Sequence, residues 1–330
     1  MRSRLCKILI TGGAGFIGSV FTRLAVKRGY QVIVADKLTY AGDLERLKEI
    51  KGRYKFYKVD ISHKRQMESI FKREKPEMLV NFAAQTHVDR SIQHAGPFLE
   101  TNILGTQVLL DAVRKYKLNK VIHLSTDEVY GEIFKGQFSE GSPLKPNSPY
   151  AASKAATDLL IKAYIRTYNF PAIIIRPCNN YGPWQYPEKL IPLATLKILR
   201  REKVPVYGNG KNMREWLYVE DCAEGILQIL EKGGTGEIYN LGSGEERQNI
   251  EVVKMILEIL KKKQNMMEFV KDRPGHDIRY SLNSQKVFNE IGWQPNIKFK
   301  DGVRFTIQWC LAHKNWLLIK WQNISGLYKF

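Results

Sequence analysis

The sequence predicts a doubly wound parallel α/β sheet with a smaller C-terminal α/β lobe, and three observations carry that expectation. Short apolar runs of strand length alternate with amphipathic segments of helix length through the first half of the chain. A glycine-rich turn, Gly12-Gly13-Ala14-Gly15-Phe16-Ile17-Gly18, follows the first run, and an acid, Asp36, closes the second. The chain has 330 residues, longer than a typical single domain, which leaves room for the second lobe.

The elements follow in order. Lys7-Ile8-Leu9-Ile10-Thr11 is a short apolar strand signal, and an amphipathic segment runs from Phe16 to Arg28. Further strands are expected over Gln31 to Ala35, Tyr54 to Lys58, Met78 to Phe82, Val121 to Leu124 and Ala172 to Ile175, with helical segments between them. After Arg176-Pro177 the rhythm loosens. Gly182-Pro183, Gly208-Asn209-Gly210, Gly233-Gly234 and Gly242-Ser243-Gly244 punctuate shorter elements. Residues 1–177 are therefore expected to form the main domain. Residues 178–330 are expected to form mainly a substrate lobe, with some segments crossing back.

Hydrophobic residues make up 44% of the chain, with no apolar run of membrane-crossing length and no cleavable signal after Met1-Arg2-Ser3. A soluble, cytoplasmic protein with no membrane partner is expected. Cys6, Cys178, Cys222 and Cys310 show neither CxxC pairing nor metal-ligand spacing, so reduced thiols and no metal are expected. The net charge of +19 arises from 52 Lys+Arg against 33 Asp+Glu. The basic residues are scattered, as in Arg200-Arg201 and Lys261-Lys262-Lys263, without aromatic interleaving. That pattern reads as a solvated basic surface that at most favours anionic substrates rather than as a nucleic-acid footprint, and no nucleic-acid partner is expected.

The glycine turn has the spacing GxxGxxG, a relative of the dinucleotide fingerprint. Glycines allow a tight turn and close approach of a pyrophosphate, which rests on free N–H groups at the helix N-terminus. Strand before and helix after make this a Rossmann arrangement. Asp36 stands where a carboxylate accepts from ribose hydroxyls and repels a 2′-phosphate, favouring NAD over NADP, with Lys37 tempering the selection. Asp60, after the third strand, is either an acceptor for the adenine amino group or a solvated strand-end acid.

Ser125-Thr126-Asp127-Glu128-Val129-Tyr130-Gly131 leaves the end of the fifth strand, where ligands bind in open α/β sheets. Downstream, Tyr150-Ala151-Ala152-Ser153-Lys154 places a tyrosine and a lysine four apart on one helix face. An ammonium there lowers the phenol from its usual ~10 toward working pH and makes Tyr150 a usable base. Repulsion within Asp127-Glu128 raises one carboxyl and leaves the other ionised, although strand-end acids are commonly just solvated.

With these residues in view, the chain resembles the nucleotide-sugar 4,6-dehydratases of the extended short-chain dehydrogenase/reductase superfamily, from Gly12 to about Trp309. Further segments carry the likeness: Asp36 to Gly42, His87 to Ser91, Asn179 to Pro183, Pro187 to Pro192, Trp216 to Asp221 and Asp272 to Asp277. The resemblance implies oxidation of a hexose nucleotide, dTDP-glucose first, at sugar carbon 4, loss of water across carbons 5 and 6, and re-reduction at carbon 6 with retained NAD. It assigns Tyr150, aided by Lys154 and Thr126, to the carbon 4 hydroxyl, Glu128 to the carbon 5 proton, and a protonated Asp127 to the departing hydroxyl.

The resemblance also implies NAD contacts from Gly12, Gly15, Phe16, Ile17, Gly18, Asp36, Lys37, Thr39, Asp60, Ile61, Ala83, Ala84, Thr101, Tyr150, Lys154 and Asn180. Substrate contacts are implied for His87, Thr126, Asn179, Lys189, Leu190, Tyr207, Arg214, Asn249, Arg273 and His276. In the superfamily, two helices per subunit build a dimer bundle, for which Leu104, Val108, Leu109, Leu159, Leu160 and Ala163 offer apolar positions; burial within one chain explains them equally. Gln85-Thr86, Met213, Glu215 and Cys222 depart from the commonest family pattern and leave UDP- and CDP-glucose in play. A 4-epimerase would need no acid pair, and a UDP-glucuronate decarboxylase has no use for Asp127. A non-catalytic NAD-binding regulator is the reading from a different class.

Overall fold

The computed structural model describes residues 6–324. In chain order the strands are β1 Lys7–Thr11, β2 Gln31–Asp36, β3 Tyr54–Lys58, β4 Met78–Asn81, β5 Lys120–Leu124, β6 Ala172–Pro177, β7 Asn179–Tyr181, β8 Val204–Tyr207, β9 Met213–Tyr218, β10 Ile238–Leu241, β11 Glu246–Gln248 and β12 Met267–Val270. Seven of them form one sheet in the order β10-β6-β5-β4-β1-β2-β3. All its pairings are parallel. The order reverses between β1 and β4, which opens a crevice at their carboxyl ends.

Alternation along each strand builds two cores. Ile8, Ile10, Val32, Val34, Ile122 and Ile173 face one side, against Phe21 and Ala25 of α1 (Phe16–Lys27) and Ile226 and Leu230 of α8 (Val219–Lys232). Leu9, Ile33, Leu79, Val121 and Ile174 face the other. There they meet α2 (Lys64–Glu74), α5 (Thr106–Tyr116) and α6 (Pro149–Tyr168) through Phe71, Leu109 and Ile161. The chain between β4 and β5 is α3 (Val88–Gln93), short α4 (Gly96–Phe98) and a π-helical stretch, Leu99–Gly105, that runs into α5. Of the six apolar positions read as a seam, Val108 and Leu109 pack inside the chain, whereas Leu104, Leu159 and Ala163 are exposed.

After β6 the chain builds a three-stranded sheet, β11-β9-β7, and a parallel pair, β12-β8. These pack with α7 (Leu190–Leu199), α9 (Asn249–Ile259) and α11 (Phe299–Ala312) around Ile191, Val206, Trp216, Val253 and Phe299. Two segments return to the main sheet: α8 covers one face, and β10 extends the edge by pairing with β6. Helix α10 (Gln285–Ile291) adds Val287 and Ile291 to that same core.

The C-terminal segment from Leu317 to Trp321, for which the sequence offers no role, lies in α12 (Lys314–Gln322). It buries Leu317 and Trp321 and ties Lys320 Nζ (2.7 Å) and Trp316 Nε1 (2.8 Å) to Asp43 Oδ2 beyond β2. Among the described residues no helix is long and apolar enough to cross a membrane.

Helix α6 is fastened to β6 by a fully buried ion pair, Arg176 Nε to Asp158 Oδ2 at 2.8 Å, with Arg176 Nη1 also donating to Tyr130 OH at 2.7 Å. Removing the guanidinium strands a buried carboxylate. Arg176→Ala is expected to cost about 3–5 kcal/mol, read as a lowered denaturation midpoint in urea. An unchanged midpoint would show that the pair does not hold α6.

Candidate active site

The turn between β1 and α1 is closed to side chains. Gly12 has φ +69°, and a Cβ there would lie 2.6 Å from Ala83 N; a Cβ on Gly18 would lie 2.2 Å from Gly12 O. Gly12 N donates to Ala35 O (2.9 Å) and Gly15 N to Gly12 O (3.0 Å). Gly15 is the N-cap of α1 and offers no side-chain cap, so the first N–H groups of the helix are left for an anion. Gly12, Gly15, Phe16, Ile17 and Gly18 line one end of a cavity of about 420 Å³.

Asp36 braces this turn from behind. Its Oδ2 accepts from Ala14 N (2.9 Å) and its Oδ1 from Leu38 N (2.8 Å). Burial pushes its carboxyl upward against those two donors. Lys37 pairs with Asp60, whose Oδ1 accepts from Ser62 N and Oγ, both at 2.9 Å. Burial raises Asp60, but Lys37 and Ser62 outweigh it and hold the carboxyl below its ordinary value. The Lys37 charge is thus matched by Asp60. Ala84 and Asn180 line the cavity, whereas Asp36, Lys37, Thr39, Asp60, Ile61, Ala83 and Thr101 are not among its lining residues. Thr101 lies in the π-helical stretch.

The acid pair is set by a tight turn. β5 ends at Leu124, and a 3-10 turn, Asp127–Tyr130, starts from Thr126, whose Oγ1 accepts from Glu128 N at 3.3 Å. Thr126, Asp127 and Glu128 all reach the cavity. Burial, then Glu128 and Glu215, push the Asp127 carboxyl well above the carboxylate range. Its Oδ2 meets no hydrogen-bond partner among the described residues. Glu128 is raised by burial too, but Arg273, Arg214 and Lys189 oppose the rise. The two adjacent acids therefore have different electrostatic surroundings, one facing carboxylates and the other facing cations.

Helix α6 opens with Ser148 as N-cap, its side chain accepting from Ala151 N at 3.1 Å, and with Pro149 in the first turn. This start brings Tyr150 and Lys154 to the cavity wall. The expected lowering of the phenol by Lys154 is not what the geometry gives. Burial and then the Glu128 charge push Tyr150 up, with a hydrogen bond from Thr126 opposing. Lys154 Nζ is turned instead onto Leu124 O (2.6 Å) and His123 Nε2 (3.3 Å). Its own value is lowered to about 8 by burial, with Asp158 opposing.

The far end of the cavity comes from the C-terminal elements. Asn179, Lys189, Leu190, Tyr207, Arg214, Asn249, Arg273 and His276 line it, with His87 from the main domain. Arg214 is held by the carbonyls of Met213 (2.7 Å) and Asp277 (2.9 Å) and stacks over the Tyr280 ring at 4.4 Å. Arg273 pairs with Asp89 at 3.1 Å. Burial and then Lys189 lower His87 to about 3; burial and then Arg273 lower His276 to about 4. Both imidazoles are neutral at pH 7 beside a cationic cluster suited to phosphates.

Two buried charged residues in the wall escaped the sequence reading. Glu188 accepts from Tyr40 OH at 3.1 Å and sits 3.6 Å from His87 Nε2. Its place between Pro187 and Lys189, in a segment already singled out, was a usable signal. Arg46 donates to Ala14 O (3.0 Å) and Trp184 O (2.9 Å). Nothing in Leu44-Glu45-Arg46-Leu47 distinguishes it from a solvated arginine.

A family profile described as GDP-mannose 4,6 dehydratase matches residues 9–306. A protein named dTDP-glucose 4,6-dehydratase from Neisseria meningitidis serogroup B is 43% identical, over 98% of this chain and 97% of its own. The crystal structure of dTDP-glucose 4,6-dehydratase from Bacillus anthracis strain Ames in complex with NAD superposes with TM-score 0.90 at 42% identity, covering 96% of this chain and 99% of that one. UDP-glucose 4-epimerase from Thermotoga maritima, with UDP-glucose, reaches TM-score 0.87 at 32% identity over 93% and 99%.

The raised carboxyl of Asp127 has a stability signature. A buried acid that stays protonated in the folded chain but ionises when unfolded makes folding weaker as pH climbs above the ordinary carboxylate range. Asp127→Asn removes that cost. Its melting temperature relative to wild type is expected to rise between pH 5 and pH 8; a constant difference would mean that Asp127 is ionised in the fold.

Proposed function

The chain belongs to the nucleotide-sugar 4,6-dehydratase family, and on that premise we propose that it converts dTDP-glucose to dTDP-4-keto-6-deoxyglucose as an NAD-retaining hydro-lyase. The observation that carries this reading is the acid pair Asp127 and Glu128 at the cavity wall with Tyr150. An epimerase on the same fold has no work for two acids of opposite surroundings. The dTDP-glucose specificity is supported by the named relatives, and the anionic diphosphate by Lys189, Arg214 and Arg273.

The residues fit NAD: a side-chain-free glycine turn, an uncapped helix N-terminus and an acid at Asp36. When bound, NAD accepts the hydride of sugar carbon 4 and returns it to carbon 6, so that it is regenerated in each turnover. Tyr150, as a phenolate to which Thr126 donates, takes the proton of the carbon 4 hydroxyl and becomes the phenol, its own proton having first passed to the Lys154 amine. The ketone so formed acidifies the carbon 5 proton. Glu128, whose carboxylate form the facing cations favour against burial, removes it; Asp127, pushed well above the carboxylate range by burial, donates to the departing carbon 6 hydroxyl. Residues 1–177 serve mainly the cofactor and the chemistry, and most of 178–330 the nucleotide sugar. A homodimer through α5 and α6 is supported by exposed Leu99, Leu104 and Leu159 on these helices and the π-helical stretch before α5, and a cytoplasmic setting by four free cysteines.

Purified protein given dTDP-glucose without added reductant is expected to yield a product lighter by one water in mass spectrometry, and UDP- and CDP-glucose to react more slowly. An unchanged mass with all three would overturn the reading, and a galactose epimer would make the chain an epimerase. Asp127→Asn should slow elimination by about 10²–10⁴-fold while sparing oxidation at carbon 4. Equal loss of both steps would remove Asp127 as the acid. Tyr150→Phe should suppress the first oxidation; normal reduction of bound NAD in that variant would take Tyr150 out of the mechanism.

A further inference from the structure

Behind Lys154, away from the cavity, a buried chain of hydrogen bonds determines where protons sit. Asn81, the last residue of β4, accepts at Oδ1 from Ala83 N (3.1 Å) and Thr11 Oγ1 (2.6 Å). A backbone N–H can only donate, so the amide oxygen must face it and the amide nitrogen must point the opposite way. That Nδ2 lies 3.2 Å from His123 Nδ1 and 3.4 Å from Thr106 Oγ1. An amide N–H can only donate, so His123 Nδ1 accepts. Thr11, Asn81, Thr106, His123 and Lys154 are all buried.

A neutral imidazole carries one proton, and with Nδ1 accepting it resides on Nε2, 3.3 Å from Lys154 Nζ. Burial, reinforced by Lys154, keeps His123 far below its ordinary value and therefore neutral. An Nε2–H that faces an ammonium sets donor against donor. Facing an amine, it makes a hydrogen bond to the nitrogen lone pair, and Nζ keeps an N–H for Leu124 O at 2.6 Å.

We propose that His123 is a positioning residue for the Tyr150–Lys154 pair: Asn81 holds it in the Nε2–H tautomer, in which it donates to Lys154 Nζ and favours the amine over the ammonium. The tautomer stands on geometry alone; its catalytic consequence rests on the dehydratase reading. Lys154 then titrates near neutrality as part of a coupled pair and is not a fixed positive charge. The other groups facing the pair are Asp158, one turn along α6 and itself paired with Arg176 of β6, which favours the ammonium, and Glu128 and Asp127, which face Tyr150. The value of about 8 for Lys154 agrees with this balance.

Nitrogen-15 NMR of histidine-labelled protein at pH 7, with the His123 signals identified by their loss in His123→Gln, reads the tautomer directly. A protonated Nε2 and bare Nδ1 are expected; a protonated Nδ1 would overturn the proposal. Asn81→Asp replaces the amide donor with a carboxylate, which calls the proton to Nδ1 and leaves Nε2 to accept from the ammonium. The acid limb of the pH–rate profile for dTDP-glucose dehydration should then move upward by about one pH unit. A lowered plateau with the limb unmoved would make the chain of bonds merely structural. Thr11→Val leaves Ala83 N–H in place and should keep both the tautomer and the limb. Wild-type protein suffices for the tautomer, without substrate. A dehydratase with the opposite tautomer would thus refute this proposal alone, and absent dehydration with the stated tautomer would refute only the function.

Discussion

Burial of charge at the carboxyl end of β5 is the constraint on which the site depends. Asp127, Glu128, Tyr150 and Lys154 are all withdrawn from water at one wall of one cavity. In such surroundings a group keeps or loses its proton according to the charges it faces, because water no longer levels the differences. The cations of the C-terminal elements face Glu128, and carboxylates face Asp127. Burial raises both neighbouring acids, but elements far apart in the chain reinforce the rise at Asp127 and oppose it at Glu128.

That arrangement requires both lobes to be fixed relative to the sheet. β10 and α8 do this by returning to the main core, and the bonds around the glycine turn do it at the opposite end. Ala14 gives its N–H to Asp36 and its carbonyl to Arg46 and to Asp43 N. Arg46 in turn reaches Trp184 O, and Asp43 holds Lys320 and Trp316 of α12. The C-terminal helix is therefore continuous, through hydrogen bonds, with the turn that the sequence marks as phosphate-binding.

Much of the fold was legible because its signals are local. The strand runs lie within two residues of β1 to β6, and the expected helix end at Arg28 is the C-cap of α1. Strand period and glycine spacing depend on neighbours in sequence, and so did the glycine turn, Asp36, the acid pair and the Tyr150–Lys154 spacing. The placement of Val108 and Leu109 inside the chain was not legible, since an apolar helix face looks the same whether it meets its own sheet or a second copy.

The sequence by itself singled out the glycine turn, the acid pair and Tyr150 with Lys154, all of which meet at one cavity, since side-chain chemistry and motif spacing are properties of the chain. It also marked six strands of the main sheet through apolar runs and turn residues, whereas the seventh, β10, and the strand order came from the tertiary structure. Only the tertiary structure decided the protonation of the site residues. Spacing on a helix suggests that Lys154 lowers Tyr150, but Lys154 Nζ is drawn to Leu124 O and His123, while Tyr150 faces Glu128. It likewise decided that Lys37 is matched by Asp60 and that Arg46 is a buried brace. Proton positions and ion pairings depend on distance, burial and neighbouring charge, which no local pattern in the sequence encodes.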